Sequence, residues 1–164
     1  MQPVIRPTVR VILIDESSRV LMFRHEGVFR TGGLDGHALW ALPGGGLEPG
    51  EEYLTAAARE LWEETGLTGV TIGPCVWLRD HVFEWNGHVF DARERYHVCC
   101  LPHFQIDTSN QSQEELREMT DHRWWTLDEI EAAVDEIFVP RDLAMHLASI
   151  LRGEYPDEPL RIGI

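Results

Sequence analysis

The chain has 164 residues, 43% hydrophobic and 26% charged, an ordinary globular composition with length enough for one domain and a buried core. Its 14 Lys and Arg against 28 Asp and Glu leave a formal net charge of −14, which opposes adhesion to polymeric nucleic acid or to an anionic membrane. No apolar run approaches the roughly 20 residues that span a bilayer, no signal-like segment opens the chain, and Cys75, Cys99 and Cys100 form no spaced framework. Reduced thiols, no membrane partner, a cytoplasmic location and a small phosphorylated substrate are the expectations.

In chain order, residues 8–14 and 20–24 read as strands around a turn at 15–18, followed by a glycine-rich loop at 31–36. A helix is predicted from about Glu52 to Thr65, with Glu51 and Glu52 in its first turn, complementing the partial positive charge of the N-terminus, and Gly66 as its stop. Residues 70–82 and 89–101 read as longer strands, with Asn86-Gly87 as a hairpin turn between them. Segment 110–120 reads as an acidic amphipathic turn with Leu116 and Met119 facing inward. A strand at 121–126 and helices at 127–137 and 141–151 follow, and the residues from 154 onward look like a tail or surface strap. Strands interspersed with a few helices suit an α/β sandwich around a mixed sheet, one domain over 1–164 with its core at about 7–153.

On the first helix, a rotation of about 100° per residue gathers Glu60, Glu63 and Glu64 into one arc. Leu54, Ala57, Ala58, Leu61 and Thr65 occupy the neighbouring face. Like charges so spaced repel by roughly 0.2–0.5 kcal/mol per pair. Pairing Arg59 with Glu63, or with Glu51, still leaves Glu60 and Glu64 facing one another. The bland explanation is a solvated acidic face. The alternative is a hard divalent cation such as Mg²⁺, which is usually shared between a few carboxylates and substrate phosphates.

The stretch from Gly45 to Leu67 resembles the Nudix hydrolase box at every fixed position. Gly45 is its first glycine, Glu51 its isolated glutamate, Arg59-Glu60-Leu61 its arginine-glutamate-aliphatic run, Glu63-Glu64 its paired acids, and Gly66-Leu67 its close. Residues 40–45 and 123–130 are similar to the family's approach to the loop and to its late strand and helix. The resemblance implies a Nudix α/β/α sandwich and a hydrolase dependent on Mg²⁺, with Mn²⁺ as a substitute. It also implies that Glu60 and Glu64 ligate metal, that Glu63 serves the same cluster, that the Gly45 carbonyl adds a ligand, and that Glu51 and Arg59 are supports. The substrate it implies is a nucleoside diphosphate linked to a further group X.

Similar proteins place a cation where Arg24 closes its strand, against a bland reading as a solvated arginine; Arg30, Arg79, Arg93 and Arg95 have no direction set by spacing. Phe83, Trp85 and Phe90 offer a stacking face for a base or simply pack in the core. Some family members take the catalytic base from a loop after the box, which here points to Glu114, Glu115 and Glu118, with Glu118 singled out, while others rely on a box glutamate. The subfamily signatures for ADP-ribose, dinucleoside polyphosphates, NADH and coenzyme A are missing. A non-catalytic nucleotide sensor on the same scaffold is the rival, against which stands the intact box. An isoprenoid diphosphate isomerase would need a cysteine and histidines that have no obvious position here. The oligomeric state is open, a homodimer included.

Overall fold

The computed structural model describes residues 2–27, 29, 30, 34 and 36–163, with positions 29 and 30 as backbone alone. The predicted loop at 31–36 lies mostly outside the described residues. From the N-terminus run β1 (Val4–Ile14), β2 (Val20–His25), β3 (Phe29–Arg30), β4 (Leu39–Ala41) and β5 (Gly44–Gly46), then helix α1 (Tyr53–Thr65). The long strands β6 (Cys75–Trp85) and β7 (His88–Cys100) follow, then α2 (Gln113–Glu118), β8 (Met119–Trp125) and α3 (Leu127–Ala132). β9 (Phe138–Val139), α4 (Leu143–Leu151) and β10 (Leu160–Arg161) complete the described chain.

The strands join in one mixed sheet ordered β10-β6-β7-β1-β2-β4-β9, with β3 on β6, β5 on β1 and β8 on β2. β1 runs parallel to β7 from Val4 opposite Phe90 to Ile14 opposite Cys100, whereas β6 and β7 form an antiparallel hairpin. The hairpin turns at Asn86 and Gly87, both with positive φ (51° and 77°), the backbone that a two-residue type I′ turn demands.

Alternation along β1 sorts the layers. Val9, Val11 and Leu13 pack against Ala56, Ala57 and Leu61 of α1. Ile12 and Ile14 point the other way, to a second cluster with Ile130 of α3 and Leu143, Leu147 and Ile150 of α4. Helices thus cover both faces of the sheet, the expected α/β arrangement. Trp124 and Trp125 divide in the same manner: Trp125 meets Trp40 and Phe138 edge-on at 5.1 and 5.0 Å, and Trp124 meets Phe104 at 5.8 Å.

Several boundaries differ from the sequence expectation. α1 begins at Tyr53 with Glu52 as N-cap, so Glu51 and Glu52 precede the first turn. Its buried face uses Ala56, while Leu54 and Ala58 are exposed. Gly66 does end the helix, in a left-handed conformation with its N–H donating to the Trp62 carbonyl at 3.0 Å. The helix predicted over 127–137 stops at Ala132 because the chain is drawn into the sheet, where Trp40 N–H donates to the Ile137 carbonyl at 2.8 Å and β9 pairs with β4. Segment 110–120 is helical at α2, but Leu116 is exposed. The tail is more than a strap on the surface: β10 pairs with β6, and Ile162 is buried in the α3/α4 cluster.

Candidate active site

The alternation that sends Ile12 and Ile14 into the core sends Arg6, Thr8 and Arg10, nearer the start of β1, into a cavity of about 460 Å³. Ala92, Glu94 and Tyr96 of β7 share that floor, as do Arg79, His81, Phe83 and Trp85 of β6. Arg79 stands opposite Glu94 and His81 opposite Ala92. One wall is β5 with Glu60, Glu63 and Glu64 of α1; another carries Glu114, Glu115 and Glu118 of α2.

The glycine loop is pressed between strand and helix. At Gly44, φ is 142° and a Cβ would lie 2.0 Å from the Val9 carbonyl oxygen; at Gly45 a Cβ would lie 2.4 Å from Glu60 Oε1. No larger residue fits either position without moving backbone or carboxylate. Gly44 N–H donates to Glu64 Oε2 at 3.2 Å. Arg59 grips Glu51 in a fork, Nε and Nη2 each at 2.9 Å, and Nη2 also reaches the Gly46 carbonyl at 3.1 Å. The fork holds the Glu51 carboxyl down at about 2. Its other nitrogen, Nη1, lies 3.2 Å from Glu60 and 3.3 Å from Glu63, so one guanidinium hydrogen-bonds three carboxylates where spacing alone offered a choice.

Glu60 and Glu64 are 7% and 4% exposed, and burial raises the pKa of both, Glu64's well above the ordinary value with Glu60's charge adding to it. Among the described residues, Glu60, Glu63 and Glu115 each bring a carboxylate oxygen to within 4.8 Å of the others. Glu64 sits deeper, on the Gly44 amide, and Glu115 joins the group in its place. Glu115 is delivered by a capping box: Ser112 Oγ accepts from Glu115 N–H, and Glu115 Oε1 accepts from Ser112 N–H, both at 3.1 Å. A set of hard, incompletely neutralised oxygens beside a Gly45 backbone fits Mg²⁺ or Mn²⁺. Glu118 accepts from Trp85 Nε1 at 3.4 Å, and burial raises its pKa.

The cations are distributed differently from the sequence expectation. Arg24 lies outside the cavity lining, its guanidinium engaged by Glu26 and 3.4 Å from Thr120 Oγ1. The β2–β8 register shifts between Arg24 and His25, where Thr120 of β8 is left unpaired in the register, and His25 is the residue that lines the cavity. Arg93 pairs with Asp80 and Asp91, and Arg95 lies 4.2 Å over the Tyr53 ring; neither lines the cavity. The Arg30 side chain is outside the described residues. Arg79 does reach the floor. Arg6, over the Trp85 and Phe90 rings at 5.7 and 5.3 Å, and Arg141 also line the cavity, and among the described residues no carboxylate forms an ion pair with either. Sequence reasoning passed over Arg6, Arg10, His81, Glu94, Tyr96 and Arg141. The available signal was the two-residue period counted back from apolar Val98 through Tyr96, Glu94 and Ala92.

Comparison with known proteins gives the chain's family and fold. Residues 4–145 match the family model of the NUDIX domain. A MutT protein from Methanosarcina mazei superposes with TM-score 0.68 at 22% identity, over 92% of this chain and 97% of that one. The dihydroneopterin triphosphate pyrophosphohydrolase of E. coli does so with TM-score 0.64 at 18% identity, over 92% and 99%. An RNA pyrophosphohydrolase of Novosphingobium aromaticivorans is 45% identical over 101 residues, 56% of this chain and 59% of that protein. One from Nitrobacter winogradskyi is 38% identical over 65 residues, 40% and 36% respectively. The matched stretch is thus less than two thirds of these curated relatives' own length. A match that runs from the first strand into the last helix takes in the sheet, the glycine loop and the acidic helix together, and on that ground the chain belongs to the NUDIX domain family.

Proposed function

We propose that this protein is a Mg²⁺-dependent hydrolase, with Mn²⁺ as a substitute, that cleaves a phosphoanhydride bond in a small nucleoside diphosphate linked to a further group. One observation carries the proposal: the converging oxygens of Glu60, Glu63 and Glu115 share a cavity with Arg6 and Arg141, cations that form no close ion pair among the described residues. Glu60, Glu63 and Glu115 would hold the cation, with Glu64 and the Gly45 carbonyl next to them. When bound, the cation neutralises the diphosphate and brings water towards ionisation near neutral pH. Arg6 and Arg141 orient phosphate oxygens by charge-assisted hydrogen bonds. Phe83 and Trp85 offer ring faces to a base, worth roughly 1–3 kcal/mol. Glu118, as a carboxylate of raised pKa, takes a proton from water as the water oxygen bonds to phosphorus; the anhydride P–O bond breaks, and its electron pair leaves with the departing phosphate.

The names of the curated relatives favour a second substrate, the 5′-triphosphate end of an RNA, which contains the same bond. The net charge of −14 weighs against a polymer. The test is turnover of a nucleotide panel and a 5′-triphosphorylated RNA oligonucleotide by chelator-stripped protein with and without Mg²⁺, reading released phosphate, pyrophosphate and monophosphate. Undiminished turnover without metal would remove the cation. Nucleotide binding with no turnover in Mg²⁺ would make the protein a sensor.

A further inference from the structure

The cavity floor contains a buried charge that the proposed chemistry does not use. Glu94, on β7, is 3% exposed, and its carboxylate is shared among Arg79 Nη1 at 3.3 Å, the Tyr96 hydroxyl, Arg10 Nε at 3.7 Å and His81 Nδ1 at 3.8 Å. Arg10 reaches in the opposite direction as well: its Nη1 donates to the carbonyls of Leu42 and Gly44, both at 3.2 Å. Those carbonyls flank Pro43, so one nitrogen pins both ends of the turn that leads into the glycine loop. Gly44 then gives its own N–H to Glu64, and Gly45 lies against Glu60. A continuous set of contacts therefore runs from the floor to the acidic wall.

We infer that Glu94 is a positioning residue, holding Arg10 in the pose that fastens the glycine loop against Glu60 and Glu64. The physical need is specific. Arg10 and Arg79 approach the same buried spot, and without an anion between them their repulsion would turn Arg10 away from the loop carbonyls. A planar guanidinium can meet the carboxylate through Nε while Nη1 forks to the loop, which a lysine ammonium on its flexible stem cannot do. A carboxylate serving only as counter-ion would support folding and leave the acidic wall indifferent to its loss. The inference rests on the proposal that this wall holds a divalent cation.

The test is Mn²⁺ binding to chelator-stripped full-length protein, followed by electron paramagnetic resonance of free Mn²⁺, for the wild type, Glu94→Gln and Arg10→Lys, with the thermal midpoint of each. Glu94→Gln keeps shape but removes the charge, and Arg10→Lys keeps the charge but removes the fork, so a folding failure of one leaves the other to decide. The expected result is Mn²⁺ affinity at least five-fold weaker in both. Wild-type affinity in a folded variant, whatever its midpoint, would overturn the positioning role while leaving the cation site intact. A wild type that binds no Mn²⁺ would instead remove the cation site, and this inference with it.

Discussion

Glu64 and Glu94 are buried to nearly the same degree, 4% and 3% exposed, and line the same cavity, yet their surroundings drive them in opposite directions. Burial lifts the Glu64 carboxyl well above its ordinary pKa, and the neighbouring charge of Glu60 lifts it further. Burial opposes ionisation of Glu94 as well, but Arg10 foremost, then His81, Arg79 and the Tyr96 hydroxyl, outweigh it and hold the group below its ordinary value. Arg10 acts on both carboxylates, but at Glu64 its charge does not offset burial and the repulsion of Glu60, whereas at Glu94 the surrounding donors and cations do. A buried acid that the fold neutralises reads as structure; a buried acid that it leaves in deficit reads as a site awaiting an external cation.

The largest effect expected from this contrast is on stability. Glu94→Ala leaves Arg10 and Arg79 without their shared anion and should cost about 3–5 kcal/mol in urea unfolding, the range for breaking a buried pair from one side. A loss under 1 kcal/mol would mean that water already compensates the arginines.

Next come Glu60→Gln and Glu64→Gln, which should lower kcat in saturating Mg²⁺ by at least about 100-fold, roughly 2.7 kcal/mol of transition-state stabilisation. In metal-free protein the same substitutions should act with the opposite sign on stability. For Glu64 the folded pKa lies above the unfolded value of 4.5, so its contribution is fully present below that pH and is lost as pH rises through the folded value. Glu64→Gln should therefore flatten the fall of the thermal midpoint on the alkaline side in EDTA. Glu94 has the reverse sign: its contribution is present above 4.5 and is lost as pH falls through its depressed folded value. Parallel pH profiles for Glu64→Gln and Glu94→Gln would erase the distinction between the two carboxylates.

Glu51→Gln should be milder, about 10-fold in kcat or roughly 1.4 kcal/mol, and accompanied by a lower thermal midpoint, because it loosens the Arg59 fork between loop and helix. A loss as large as that of Glu64→Gln at unchanged midpoint would contradict a supporting role. The smallest effect is assigned to Arg24→Ala, whose exposed pair with Glu26 contributes about 0–1 kcal/mol and lies away from the cavity. KM should move less than about two-fold there and several-fold in Arg6→Ala, and steady-state kinetics on the two variants that reversed this order would return the phosphate contact to Arg24.

Legibility followed the range of the interactions involved. The Glu51–Arg59 fork and the acidic face of α1 were within reach of sequence because they join residues a few positions apart on a loop and one helix. The hairpin at Asn86-Gly87 was legible for the same reason, since positive φ at both residues is a local preference. Ser112 and Glu115 carried an equally local signal, the capping box that starts α2 and brings Glu115 to the acidic wall. The resemblance that marks Arg24 gives its place at the end of β2 but not its surroundings: His25 lines the cavity, and Arg24 pairs with Glu26.

By itself the sequence determined the acidic helix, its glycine turn, the strand alternations and the membership they imply, all of which depend on periodicity and on spacings short enough to survive without a fold. Only the tertiary structure decided which half of each strand lines the cavity and which half enters the core. On β1 that division falls between Arg10 and Ile12, and on β7 at Tyr96, which belongs to the core and also lines the cavity, because the α3/α4 layer covers one end of the sheet face and leaves the other open. It also drew Ile162 from the tail into the core and set Glu94 between Arg10 and Arg79. Such contacts join residues dozens of positions apart, and burial against distant layers, which no local pattern encodes, is what selects them.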